Sequence, residues 1–250
     1  MSKRIVLLIV ATPIFVLLNY HIAFFAHEYA HSLMAWLLNI KSNPFDIHYG
    51  GTSWKNLIFL LNLHENIQYA HLFSQGRNDS IALIAISGIG LGNGLFYLLS
   101  IYLLQNKTVK DHPLLYYFIF WLNFMSLAHF YHYVPLLVFS PIGDMANLSK
   151  ALAISPWIIY ILFSYLVIFM LYHFYTKTLI TTYQVLNSTK VSQAALLILC
   201  TILMFGYVAL DGILGGQGVI PLFLSITSIA AIPGILAACW PTRKWINQYV

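Results

Sequence analysis

Five runs of this chain, residues 81–104, 114–137, 156–175, 191–210 and 218–240, contain no Asp, Glu, Lys or Arg. Each is about 20 residues or longer, the length of helix that crosses a hydrocarbon core of about 30 Å. A β-barrel would instead need alternating segments of roughly 10 residues. A sixth run, 5–40, lacks Lys, Arg and Asp and has Glu28 as its one acidic residue. As a straight helix it would be about 52 Å long at about 1.5 Å per residue. Pro13 is therefore expected to kink it, or its start to lie along or beyond the membrane interface. Composition agrees: 60% of residues are hydrophobic and 8% charged, against about 25% charged in soluble domains. The expected fold is an all-α polytopic transmembrane helical bundle of about six spans, an integral multi-pass protein of a membrane that the sequence does not name.

Lys3 and Arg4 ahead of an apolar run imitate a signal peptide, but no small-residue cleavage site follows, so a retained first span is expected. The net charge of +5 comes from scattered Lys and Arg with no basic run. Topology signals at span ends account for it, and no nucleic-acid partner is expected. Cys200 and Cys239 both lie in apolar runs and imply no disulfide framework. The longest polar segment is 41–80. Within it Asp46-Ile-His-Tyr-Gly-Gly-Thr-Ser-Trp54 has the paired glycines and β-prone flanks of a hairpin, so a small β-hairpin is expected in the 41–55 loop. Residues 56–63 are too short to span and are expected to be interfacial or re-entrant.

An ionisable side chain in hydrocarbon costs about 2.5 kcal/mol or more, so each one calls for a reason. Glu28 sits in His27-Glu28-Tyr29-Ala30-His31. On a helix, positions i and i+4 share a face, so both imidazoles can hold one zinc ion while Glu28 acts as general base on a water. Chance occurrence, with the imidazoles hydrogen-bonded to neighbouring helices, is the competing explanation. A catalytic zinc usually has three protein ligands and an open position. Asp144, in Phe139-Ser-Pro-Ile-Gly-Asp144, is the natural third ligand. Spans one and three run in the same direction, and both groups lie toward their C-terminal ends. A carboxylate at a helix end in a polar loop is the plainer alternative for Asp144.

This constellation resembles the site-2 protease family of intramembrane zinc metalloproteases over roughly residues 20–150. His27-Glu28-x-x-His31 with Ala35 and Asn39-Ile40-Lys41 looks like that family's first core helix, with Asn39 where Gly is common. Ser87-Gly88-Ile-Gly90-Leu-Gly92-Asn93 is similar to its Gly-Pro-x-x-Asn element, with Leu91 in place of Pro. Pro141-x-x-Asp144 resembles the segment ending in the aspartate ligand, although the order here is Gly143-Asp144 rather than Asp-Gly. The resemblance implies a zinc-dependent endopeptidase that cleaves within or beside a transmembrane helix of a membrane-protein substrate. His27, His31 and Asp144 would bind Zn2+, Glu28 would be the base, and Asn93 would contact substrate or steady the site. Residues 1–150 would form the metalloprotease core and 151–250 three further transmembrane helices of unassigned role.

Other polar groups have plainer readings. His64 and His71 are seven apart, two turns, and are expected on the polar face of an amphipathic loop helix rather than on a metal. His129 and His132 are expected to pack or to act behind the site. Asp211 reads as part of a turn with Gly212, Gly215, Gly216 and Gly218. A di-iron hydroxylase or desaturase would need about eight histidines in boxes with adjacent pairs, and this chain has no His-His pair. A catalytically silent membrane-binding relative, or a proton or metal transporter working through His27, Glu28 and Asp144, are the remaining alternatives.

Overall fold

The computed structural model describes residues 3–247. The helices that matter here are α1 (Lys3–Leu37), α2 (Trp54–Phe59), α3 (Tyr69–Ser74), α4 (Asn78–Gln105), α5 (Pro113–Leu136), α6 (Asp144–Leu152), α7 (Pro156–Val185), α8 (Lys190–Leu214) and α9 (Val219–Cys239). Among the described residues, six helices are long and apolar enough to cross a membrane: α1 from Leu8, α4, α5, α7, α8 and α9. Helix α1 runs unbroken through Pro13.

Helix α5 is the axis of the bundle. Along its apolar window 83% of residues are buried, against 17% for α1 and α9 and 22% for α7. Tyr116, Phe120, Trp121, Phe124 and Leu127 are fully enclosed on it. The outer helices expose Leu17, Leu98, Leu162, Phe169 and Phe223. Apolar exposure on this scale suits a lipid environment and would be an aggregation hazard in water. Lipid tails are as apolar as leucine, so polar contacts and close packing must select the helix neighbours. The Asn123 amide donates to Ser100 Oγ at 2.9 Å, tying α5 to α4. Tyr131 donates to Ser228 Oγ, which donates to the Phe205 carbonyl, both at 2.8 Å, tying α5 to α9 and α8. His132 meets Asp211 at 3.0 Å, so Asp211, expected in a turn between spans, lies instead in the last helical turn of α8 and pins it to the end of α5. Such contacts contribute about 0.6 kcal/mol each on average, which is why several act together.

Among the described residues, four spans contain a wide π-helical turn: Gly88–Asn93, His132–Leu136, Phe174–Thr178 and Ile202–Tyr207. The first two lie against the histidine turn of α1, in keeping with the frequency of such turns at functional sites.

The expected hairpin in 41–55 is absent: the described residues contain no strand. Gly50 and Gly51 adopt φ of 70° and 87°, but the chain does not fold back on itself there. The Asn56 side-chain amide takes the carbonyls of Tyr49 and Gly51 at 2.7 and 2.9 Å, and Ser53 caps α2. Those partners replace the cross-strand hydrogen bonds. His48 pairs instead with His64 in an isolated bridge, their rings stacked 4.6 Å apart. The 56–63 segment forms the short helix α2 and a left-handed turn at Leu60, not a span. Nor do His64 and His71 share a helix, because Asn66 at φ 57° interrupts the chain and α3 begins only at Tyr69.

Lys41 holds this loop to the bundle. Its ammonium donates to Ser32 Oγ at 2.8 Å, to the Glu65 carbonyl at 2.6 Å and to the Asp46 carbonyl. Burial lowers its pKa below the ordinary lysine value, with Asp46 and Glu65 opposing the shift. Methionine keeps the stem and removes all three donors. Lys41→Met is therefore expected to speed proteolytic nicking at Gly50-Gly51 several-fold in detergent while leaving the spans protected, as read by peptide mapping over time.

Candidate metal centre

The site is built from helix spacing outward. His27 and His31 lie one turn apart on α1, their rings 4.6 Å apart and nearly perpendicular. Each ring is fixed through its Nδ1. His27 Nδ1 donates to Asn93 Oδ1 at 2.8 Å, and the Asn93 amide nitrogen donates to the Ala23 carbonyl at 2.8 Å, which settles the amide's orientation. His31 Nδ1 donates to the Ile84 carbonyl at 2.6 Å. With both protons on Nδ1, both Nε2 atoms present lone pairs.

Those lone pairs converge on a third. Asp144 Oδ2 lies 2.9 Å from His27 Nε2 and 3.1 Å from His31 Nε2, and the two nitrogens are 3.0 Å apart. Asp144 opens α6, where the helix dipole favours a carboxylate. It is delivered by Gly143 at φ 94° and ψ −175°, a conformation essentially reserved for glycine. The Gly-Asp order is thus what turns the chain into α6 with the carboxylate facing α1.

Three acceptors around one point repel one another unless a cation lies between them. Donor atoms bound at about 2.0–2.2 Å around a tetrahedral ion stand roughly 3.3 Å apart, so the triangle needs to open only slightly. Among the described residues, His27, His31 and Asp144 form the one group of three or more His, Cys, Asp or Glu arranged to hold a metal. Both imidazoles are 1% exposed and the carboxylate side chain 13%, so little water competes. Two imidazoles and a carboxylate fit hydrolytic zinc, and also non-haem ferrous iron.

Close helix approach makes the triangle possible. A Cβ on Gly88 would stand 2.3 Å from His31 Nε2 and 2.7 Å from His27 Cε1; one on Gly92 would stand 2.5 Å from the Ala26 carbonyl oxygen. Gly90, by contrast, has open space beside it. The glycines at 88 and 92 therefore form the face of α4 that meets α1. From the other side the Tyr133 ring stacks on His27 at 4.6 Å and 17°, with His129 6.1 Å from His27.

Glu28 is 6% exposed, and its Oε2 has no hydrogen-bond partner. Its carboxyl lies against that of Glu65, a residue read from the sequence only as part of a polar loop. The signal for Glu65 was a local alternation: Leu63 and Glu65 are buried and Ile67 is partly buried, while His64, Asn66 and Gln68 face out. Asn93 is buried, with its Oδ1 accepting from His27 and one amide hydrogen donated to the Ala23 carbonyl, so it orients the His27 ring.

Comparison with family models, with curated proteins and with solved structures finds no match.

Gly88→Ala is expected to displace both imidazoles and to reduce zinc retention at least tenfold after dialysis against a weak chelator. Gly90→Ala should leave it unchanged. For Asn93→Leu, which frees the His27 ring, a 10- to 100-fold loss of metal affinity is expected by competition with a chromophoric chelator, the usual effect of removing an outer partner of a ligand.

Proposed function

We propose that this chain is an intramembrane zinc metalloprotease that hydrolyses peptide bonds within or next to transmembrane segments of membrane-protein substrates. The observation that carries the reading is the buried, proton-free triangle of His27, His31 and Asp144 with the Glu28 carboxyl, whose Oε2 has no hydrogen-bond partner, one residue along the same helix. Glu28 separates hydrolysis from the other chemistries open to such a triad, because a hydrolytic site needs a base beside the metal and an oxygenase does not. The order of the HExxH turn, the Gly-rich turn and the Pro-x-x-Asp segment, similar to the site-2 protease family, supports the same conclusion.

When bound, zinc would act as a Lewis acid toward the scissile carbonyl and would make a water acidic enough to lose its proton near neutral pH. The chain's residues do the rest. His27 and His31 offer Nε2, and Asp144 Oδ2, as the binding face. Asn93 and the Ile84 carbonyl hold the imidazoles in the tautomer that leaves those atoms free. Glu28 accepts the proton of the attacking water at its unpartnered oxygen and returns it to the leaving amine, a general acid–base role worth about 10²–10⁴-fold. Burial of the site keeps bulk water from the carboxylate. A substrate helix must unwind to reach it, because a helical peptide bond is hydrogen-bonded and sterically hidden. Without a hairpin in 41–55, no ready-made strand edge is present there to hold the unwound segment.

Glu28→Gln is isosteric and tests the assignment directly. Purified in detergent or nanodiscs, it should retain zinc at wild-type stoichiometry and lose cleavage of single-span membrane-protein substrates by at least 10²-fold. Undiminished turnover would remove Glu28 from the mechanism. A silent binding protein would show no cleavage in either form, and a transporter would show flux in proteoliposomes that depends on His27.

A further inference from the structure

Topology accounts for basic residues scattered at span ends, but those where α9 ends are gathered in a built pocket. From residue 145 onward the chain carries five basic side chains and one acidic one, Asp211. Lys190, at the start of α8, meets Arg243 and Lys244 there through the Pro241 carbonyl. Asp211 lies about 30 Å further along α8 at about 1.5 Å per residue, and it is paired with His132. Asp111, the acidic residue of the α4–α5 loop at the same membrane face, forms no ion pair with Arg243 or Lys244. Two cations are thus left without an internal counter-charge among the described residues.

Three hydrogen bonds fold the segment after Trp240 back over the end of α9. Arg243 Nε donates to the Ala237 carbonyl at 2.7 Å, Trp245 Nε1 to the Ala238 carbonyl at 3.1 Å, and Lys190 Nζ to the Pro241 carbonyl at 3.1 Å. The first two take up carbonyls that a helix end leaves without partners. With Nε spent on the helix, the Nη1–Nη2 fork of the guanidinium remains, the edge that matches a phosphate bidentately. Its hydrogens make no bond among the described residues, and the Lys244 ammonium makes none either. Ala237, Trp240, Thr242, Arg243, Lys244 and Trp245 line a cavity of about 810 Å³, a volume typical of small-molecule sites. Two indoles therefore bracket two cations at the level where a span leaves the bilayer, the depth at which tryptophan is enriched. The cavity sits at the end of α9, whose apolar window is only 17% buried, so apolar chains have an open helix face to lie on.

We propose that this pocket binds the phosphate of an anionic membrane phospholipid. The Arg243 fork and the Lys244 ammonium hold the phosphate, Trp240 and Trp245 flank the headgroup, and the acyl chains lie along the exposed face of α9. Charge complementarity selects the occupant: a zwitterionic headgroup brings a cation of its own beside the two of the protein, and an anionic one does not. Basic pockets at span ends hold anionic headgroups on this principle. Span alternation puts the pocket and the metal centre at opposite membrane faces, so the assignment is independent of the peptidase reading.

The test exchanges the full-length protein into mixed micelles of equimolar phosphatidylglycerol and phosphatidylcholine with identical acyl chains. After re-purification the retained lipid is counted per chain by mass spectrometry. Each basic residue beside an anionic headgroup contributes roughly fivefold, so the wild type should retain phosphatidylglycerol at least tenfold over phosphatidylcholine. Arg243→Gln/Lys244→Gln should abolish the preference at unchanged helical content. Lys244→Gln alone, which leaves all three hydrogen bonds in place, should lower it at least threefold. Lys107→Gln/Lys110→Gln removes the same charge from the same face and should leave the preference intact. Glycerol phosphate, the headgroup without its chains, should fail to displace the lipid. No preference in the wild type, or an undiminished one in Arg243→Gln/Lys244→Gln, would overturn the proposal. So would an equal loss in Lys107→Gln/Lys110→Gln, which would reduce the effect to the charge of the whole face. Displacement by glycerol phosphate would make this a site for soluble phosphate and overturn the lipid assignment.

Discussion

Mutual repulsion among three lone pairs is the constraint around which this molecule is arranged. His27 Nε2, His31 Nε2 and Asp144 Oδ2 stand 2.9–3.1 Å apart with no proton between them once the Nδ1 hydrogen bonds are counted. In the low dielectric of a helical bundle that arrangement is costly unless a cation balances it. The surrounding structure keeps it in place all the same. Asn93 and the Ile84 carbonyl hold the imidazoles, Gly143 turns Asp144 toward α1, and Gly88 leaves room for both rings. A site held this way from three directions is preorganised, and preorganisation is what lets a charge act strongly where water is scarce.

The bundle supplies the rigidity. Helix α5 is enclosed on almost all sides and carries Tyr133 and His129 against His27. The C-terminal spans, to which the sequence attached no role, grip the end of α5 through His132 to Asp211 and Tyr131 to Ser228. Their contribution to the site is indirect: they fix the helix on which the back of the His27 pocket is built.

Much of this was legible because hydrophobic runs and helical spacing are local properties. The run 81–104 became α4 over Asn78–Gln105, and 114–137 became α5 over Pro113–Leu136. The run ending at residue 175 stopped short because Lys177 interrupts the apolar count, but a charge does not break helical hydrogen bonds, and α7 continues to Val185. Span parity was enough to bring Asp144 and the His27 turn to the same face. What escaped was tertiary. The Gly50-Gly51 pair looked like a hairpin turn, and only the side chain of Asn56, a few residues on, decides otherwise. Gly88 and Gly92 are four apart, the spacing of small residues that lets helices approach closely, but nothing in that spacing says that two imidazoles fill the gap. Asp211 lost its partner to a distance of 79 residues, and Glu65 gives no hint in sequence that it meets Glu28.

The central claim is that a divalent metal is held jointly by α1 and α6. The most direct measurement is the metal content of detergent-purified protein by elemental analysis, wild type beside Asp144→Ala. One zinc per chain in the wild type, falling to a small fraction in the variant at unchanged helical content, is the result this account predicts. Full zinc in Asp144→Ala, or no stoichiometric metal in the wild type after purification without chelators, would contradict it.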